Sequence, residues 1–327
     1  MFGTLLVCLL IVELSFYYLI RHPKILNHLP AYIQVKFHGI YVSNDMRYIQ
    51  YDENCAQYDN QLGYTLKYGT CIFSGTEFSN IVNVNRLGLR DDEQSLNSPE
   101  IVVLGDSYAM GWGVDENETF SSIIENKSGM KVLNAGIPSY GTVREFEILK
   151  RIDLGALKYL IIQYSPNDYL ENKYFYDQGN AYITFSLAEF EKWRDVHKRT
   201  TPYYKGKYTI ILFKSIFSRF RSLFASKDDE ISNIPDEESL FINVMEHYVQ
   251  RMTLHGVKII VFTSYGDNLS ISKTRNLVSN SEILSSSDIT VISPDYKVSS
   301  YFVLDGHFSP EGHKLYADLL LKEISSK

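Results

Sequence analysis

Two hydrophobic rhythms divide the chain. Over residues 2–20 nearly every position is apolar and Glu13 is the one charge. At 1.5 Å per residue such a run reaches across a bilayer core of about 30 Å. It does not alternate faces as a buried core helix does. Around residues 17–23 it also lacks the basic leader and small-residue cleavage pattern of a cleaved signal peptide. The pattern predicts an uncleaved membrane helix over 1–24. Arg21, His22 and Lys24 follow it, and those cations alone would leave the next segment in the cytosol.

Residues 25–97 form a different region, an N-terminal extension in which Gly, Asn, Asp and Tyr come in short runs without helical periodicity. Loops and short strands are expected there. From residue 98 to 327 apolar strands alternate with amphipathic helices. The strands fall at 101–104, 131–134, 159–163, 257–263 and 290–292, and the helices at 119–126, 142–153, 236–254 and 310–324. Near-continuous β-branched strands separated by helices imply a parallel sheet covered on both faces, an α/β sandwich.

One insertion, at about 172–235, breaks the alternation. It is aromatic and locally basic, with Trp193, Arg194 and Lys198. Within 214–227, Ile216, Phe217, Phe220, Leu223 and Phe224 recur at helical spacing against Lys214, Arg219, Arg221 and Lys227. Three readings stay open: a cap over a site, an amphipathic helix on anionic lipid, or a surface helix packed on the sheet.

Composition narrows the function. A chain of 327 residues, 45% hydrophobic and 22% charged, buries a sizeable core. A net charge of -7 excludes a general nucleic-acid binder, which needs a concentrated basic surface. Of the three cysteines, Cys8 lies in the apolar run, while Cys55 and Cys71 bracket a polar, Tyr-rich stretch. They either stay as two buried thiols or close a loop as a disulfide contributing about 3 kcal/mol. The second choice requires an oxidising compartment and outweighs the three flanking cations.

The chemistry centres on Ser107. The run Ile101-Val-Val-Leu-Gly-Asp-Ser107 is a strand ending in Gly105-Asp106-Ser107, and strand carboxyl ends face the ligand crevice of an open α/β sheet. A hydroxyl needs a base to take its proton. The segment Asp305-Gly306-His307, just before Pro310 opens the last helix, supplies His307 as base and Asp305 to orient it. Asn167, in Ser165-Pro166-Asn167-Asp168 after the central strand, can donate amide hydrogens to an oxyanion. Three other features read as structure. His313 falls inside the last helix, His255 beside Gly256 ends a helix, and Asp115, Glu116 and Glu118 complement a helix start. Neither a metal site nor a cofactor motif is expected.

Gly105-Asp106-Ser107, Asn134-Ala-Gly-Ile-Pro-Ser139, Asn167-Asp168 and Asp305-Gly-His307, in this order, resemble the sequence blocks of the GDSL/SGNH hydrolases. The resemblance implies a flavodoxin-like three-layer α/β/α fold and a Ser107, Asp305, His307 triad. It also implies an oxyanion hole from the Ser107 and Ser139 N–H groups and Asn167. Gly141 replaces Ser139 if the second block shifts by two. Departures are Ser139 where the family usually has Gly, Ser165 in place of another Gly, which would narrow the pocket, and a single residue between Asp305 and His307. Leu62-Gly-Tyr64 and Asn85-Arg-Leu-Gly-Leu-Arg90 resemble the leader of anchored bacterial members, many of which occur with surface-polysaccharide biosynthesis. The implied activity is ester hydrolysis or acyl transfer, without a cofactor. The implied substrate is an acylated glycan or lipid, and the implied place is the outer side of a bacterial membrane.

Overall fold

The computed structural model describes residues 2–200, 202–222, 235–252, 254–264, 270–292 and 298–326. The apolar N-terminal run forms α1 (Phe2–Arg21), followed by a short α2 (Pro23–Leu26) and α3 (Ala31–Asn44). Two antiparallel hairpins come next, β1 (Ala56–Asp59) with β2 (Gly63–Leu66), and β3 (Gly69–Ser74) with β4 (Ser79–Val84). Short strands were expected in this extension, whereas α3 was not. Its apolar residues circle the helix instead of forming one stripe, and β-branched residues and Gly39 weaken its intrinsic propensity. Tertiary packing forms it: Phe37 and Tyr41 are buried in a core shared with Cys55, Phe73, Trp112 and Leu304.

The remaining elements are β5 (Ile101–Leu104), α4 (Ser107–Met110), α5 (Phe120–Ser128), β6 (Val132–Asn134), α6 (Thr142–Leu149), β7 (Tyr159–Tyr164), α7 (Asp168–Asp177), α8 (Leu187–Thr200), α9 (Lys207–Ser222), α10 (Glu237–Val249), β8 (Lys258–Thr263), α11 (Ile271–Asn280), β9 (Ile289–Ile292) and α12 (Pro310–Ser325). The five strands are parallel in the order β6-β5-β7-β8-β9. In units of the sheet this is 2-1-3-4-5, the flavodoxin-like winding. Alternate residues serve opposite faces, as a strand's period of two requires. Val102 and Leu104 pack with Phe146, Phe241 and Tyr248 on one side. Ile101 and Val103 pack with Phe120, Ala317 and Leu320 on the other. Each such Val, Leu, Ile or Phe side chain, fully buried, contributes about 1.5–3 kcal/mol.

All five expected strands and the four expected helices are present, although α6 and α10 stop several residues earlier than their apolar patterns suggest. Helices α7, α8 and α11 went unpredicted. The amphipathic segment of the insertion forms α9, which begins at Lys207 rather than at 214, and residues 223–227 of the expected segment lie outside the described ones.

Glu13 meets α9. Its carboxylate accepts hydrogen bonds from Thr209 N at 2.8 Å, Thr209 Oγ1 at 2.9 Å and Tyr203 Oη at 3.0 Å, which supplies the partners a buried charge needs. Among the described residues no helix is long and apolar enough to cross a membrane, and the side chains of Phe2 and Leu5 in α1 lie outside the description.

Candidate active site

Ser107 opens α4 directly after β5. Asp106 caps that helix, its Oδ1 accepting the Tyr108 N–H at 2.9 Å. Gln163, at the end of β7, accepts the N–H groups of Asp106 at 3.0 Å and Ala109 at 3.2 Å. Its own amide donates to Ser165 Oγ at 2.8 Å, and Ser165 shares a 2.8 Å hydrogen bond with Ser264. The expectation that Ser165 narrows the pocket is thereby corrected. It is fully buried and braces the turn beneath Ser107.

The C-terminal loop brings His307. Phe302 N bonds His307 O at 2.9 Å and Gly306 N bonds Phe302 O at 3.0 Å, so residues 302–307 close on themselves. Gly306 has φ +85°, and a Cβ there would lie 2.5 Å from the His38 ring. A single glycine therefore makes the bend between Asp305 and His307. His307 Nε2 lies 2.7 Å from Ser107 Oγ, and Nδ1 lies 2.5 Å from Asp305 Oδ1. Asp305 Oδ2 accepts the Trp112 indole N–H at 3.2 Å. The rings of Trp112 and Tyr108 contact the imidazole at 4.8 and 4.7 Å. Ser107 and His307 are only 7% and 8% exposed, so water has little access.

The chain is similar to lipolytic and carbohydrate-active esterases. A lipolytic protein of the G-D-S-L family from Desulfitobacterium hafniense matches with 12% identity over 68% of this chain and 97% of its own, at a TM-score of 0.40. A carbohydrate esterase family 2 enzyme with a carbohydrate-binding domain, from Corynascus thermopiles, matches with 12% identity over 69% of this chain and 65% of its own, at 0.41. An acetyl xylan esterase from the rumen bacterium Butyrivibrio proteoclasticus matches with 12% identity over 69% and 63%, also at 0.41. No family model and no curated protein matches the sequence.

The expected oxyanion donors are Ser107, Ser139 and Asn167. Ser139 has φ +58°, a left-handed conformation that costs a non-glycine residue about 1–2 kcal/mol. Two hydrogen bonds hold it there: its carbonyl accepts from Arg144 at 2.6 Å and its Oγ from Gln50 Nε2 at 2.9 Å. Among the described residues neither the Ser107 nor the Ser139 N–H has a recorded acceptor. Gly141 is different. Its N–H donates to Glu171 Oε2 at 3.2 Å and so already has an acceptor. Asn167 is exposed and gives one amide hydrogen to Tyr140 O at 3.0 Å. At Gly136 a Cβ would stand 2.4 Å from Met110 N, so only glycine lets the second block approach α4 this closely.

Residues of the extension reach each of these loops. Tyr64 Oη donates to Pro138 O at 2.6 Å. Arg90 donates to the carbonyls of Gly111 and, at 2.7 Å, Val114, past the end of α4. Asp91 accepts the Asn134 N–H at 2.7 Å, and burial pushes its carboxyl up to about 7. Glu77 accepts from the loop of Asp305. Tyr64 and Arg90 belong to the leader motifs. Gln50, Glu77 and His38 carry no local sequence signal, because only the fold makes them neighbours of the site.

The other readings resolve as follows. His313 is fully buried, its Nδ1 accepts the Phe120 N–H at 3.1 Å, and burial lowers it to about 3, so it is no rival base. His255 does not end a helix as expected; it lies exposed in a turn, past the end of α10 at Val249. Asp115 and Glu118 form a capping box, as expected of carboxylates at a helix start. Glu145 and Asp168 are both buried, and burial with nearby negative charge pushes both carboxyls well up. Among the described residues no cluster suits a metal ion. A cavity of about 310 Å³ beside Tyr51 and His197 has no triad residue in its lining, whereas one of about 690 Å³ between α3 and the C-terminal loop reaches Gly306.

Proposed function

We propose that the chain is a serine esterase that works through an acyl-Ser107 intermediate. The observation that carries this reading is the continuous hydrogen-bonded line from Ser107 Oγ to His307 Nε2 at 2.7 Å and from Nδ1 to Asp305 at 2.5 Å. His307 takes the hydroxyl proton as Ser107 Oγ bonds the ester carbonyl carbon, and Asp305 holds the ring and the positive charge it gains. The carbonyl oxygen becomes an oxyanion facing the N–H groups of Ser107 and Ser139 and the Asn167 amide, one such donor contributing about 3 kcal/mol. On collapse the alcohol leaves with the proton from His307. Water or a hydroxyl then repeats the cycle in reverse, which frees the acid or passes the acyl group on.

Acetyl esters of a cell-envelope glycan are the preferred substrate. The shallow exposure of Ser107 and the Trp112 and Tyr108 walls favour a small acyl group. Transfer of the acetyl group to a surface polysaccharide is the alternative outcome of the same intermediate. A lipid or thioester hydrolase is a second reading, supported by the exposed apolar side chains of α1 and α9. A silent glycan-binding protein is disfavoured by the intact line of Ser, His and Asp. The placement proposed is outside the cytosol at a membrane, supported by the Cys55–Cys71 disulfide and by the same apolar surface.

The test is hydrolysis of p-nitrophenyl acetate and butyrate by the detergent-solubilised chain beside Ser107→Ala. The expected result is Ser-dependent turnover with acetate preferred, the variant losing about a millionfold in kcat. Equal rates from two folded proteins would refute the esterase reading, and a butyrate preference would move it to lipid substrates.

A further inference from the structure

Three consecutive backbone N–H groups, of Val303, Leu304 and Asp305, converge on the Glu77 carboxylate at 3.0, 2.9 and 2.7 Å. Successive N–H groups turned to one side make a concave anion site. Left without an acceptor in a closed place, each donor would lose hydrogen bonding it has in water. Here the anion comes from a remote part of the chain, the turn between β3 and β4.

That turn is itself fixed. The Thr76 N–H donates to Tyr41 Oη on α3 at 3.2 Å. Phe73 and Phe78, on either side of the turn, pack against Trp112 at 4.9 and 6.3 Å. Trp112 is the residue that donates to Asp305 and stacks on His307. From α3, His38 Nδ1 meets Leu304 O at 2.8 Å, which grips the same three-residue segment through its carbonyl side. Burial, and then the charge of Asp305, push the Glu77 carboxyl up to about 7. An acid beside the triad acid is thus electrostatically unfavourable, and the three amide bonds are what offset it. A neutral loop contact would have avoided that repulsion, so the placement points to the loop's geometry as what the carboxylate serves.

We propose that Glu77 is a positioning residue of the active site. Its carboxylate fills the amide nest of residues 303–305, sets where Asp305 stands, and through Asp305 orients the His307 ring toward Ser107. Glu77 touches none of the reacting atoms. The proposal rests on the esterase reading for its kinetic consequence, but not for its geometric one.

The experiment uses the full chain in detergent as wild type, Glu77→Ala, Glu77→Gln and Ser107→Ala. It reads the acylation rate and KM with p-nitrophenyl acetate, the ¹H NMR signal of the proton shared by His307 Nδ1 and Asp305, and thermal unfolding. In Glu77→Ala the acylation rate is expected to fall about a hundredfold with KM unchanged, the loss that a misplacement near 1 Å brings. The shared-proton signal moves or broadens in a protein that still unfolds cooperatively. Glu77→Gln keeps the shape and one acceptor oxygen, so it falls between the two. A folded Glu77→Ala with the wild-type rate and an unaltered proton signal overturns the proposal. Should Glu77→Ala not fold, the same comparison is read from Glu77→Gln. If wild type and Ser107→Ala are equally inert, the esterase reading fails by itself, and the proton signal alone then decides for or against Glu77.

Discussion

At Ser139 one backbone angle connects an unusual residue to a proposed role. The φ there is +58°, and the hydrogen bonds from Gln50 and Arg144 keep a serine where glycine would be strain-free. Ser139→Gly is therefore expected to keep esterase activity within about a few-fold, since the backbone donor stays and the strain of about 1–2 kcal/mol is relieved. Steady-state kinetics check this, and collapse of activity in Ser139→Gly would mean that Oγ, not N–H, is the working group. At this scale Ser107, Asp305 and His307, which the fold joins by hydrogen bonds, were legible from short motifs. The residues that brace the C-terminal loop and Ser139 were not, because Glu77, His38 and Gln50 lie in stretches whose local pattern is ordinary.

Between elements, the extension and the sheet domain share hydrogen bonds and a core. Asp91 is the clearest case. It is buried against the end of β6, and its carboxyl is pushed from 3.8 to about 7. Between those values the folded chain holds a proton that the unfolded chain has released. Its contribution to stability is therefore fully present below the unfolded pKa and is lost as pH rises through about 7. Asp91→Asn removes the titration and keeps one acceptor. Urea unfolding across pH should show the wild-type stability, measured relative to Asp91→Asn, falling by up to about 1.4 kcal/mol per pH unit between these limits. A pH-independent difference would contradict the burial argument. The strands and the helices α5, α6, α10 and α12 were legible because both faces of the sheet are covered, which leaves unbroken apolar runs, whereas α7 and α11 were not. Helix α3 was illegible because its own periodicity is weak and its neighbours fold it.

Across the whole molecule, α9 pairs with α1 through Glu13, and both leave apolar side chains in the open. Leu10, Ile11 and Leu14 on α1 are each more than half exposed, as are Phe213, Ile216 and Phe217 on α9. An aromatic and cationic edge lies nearby, where Arg21 stacks on Tyr17 at 3.6 Å and Tyr203 packs on Tyr17 at 4.6 Å. Replacing Phe213, Ile216 and Phe217 together by Ser is expected to weaken co-sedimentation with anionic vesicles about tenfold or more, given about 0.8 kcal/mol per buried methylene. Unchanged sedimentation would assign that surface to something other than lipid.

The sequence alone determined what local repetition encodes: an apolar terminal helix, the alternation of parallel strands with helices, and the order of the blocks holding Ser107, Asn167, Asp305 and His307. Periodicity and turn chemistry act over a few residues, so they survive in one dimension. Which segments meet was decided only in three dimensions. The Cys55–Cys71 pairing, the occupation of the Gly141 N–H by Glu171, the hydrogen bond of buried Ser165 to Ser264 and the reach of Glu77 to the loop of Asp305 all join residues far apart in the chain. Such contacts depend on packing and on the satisfaction of buried polar groups, and neither is a property of any short stretch of sequence.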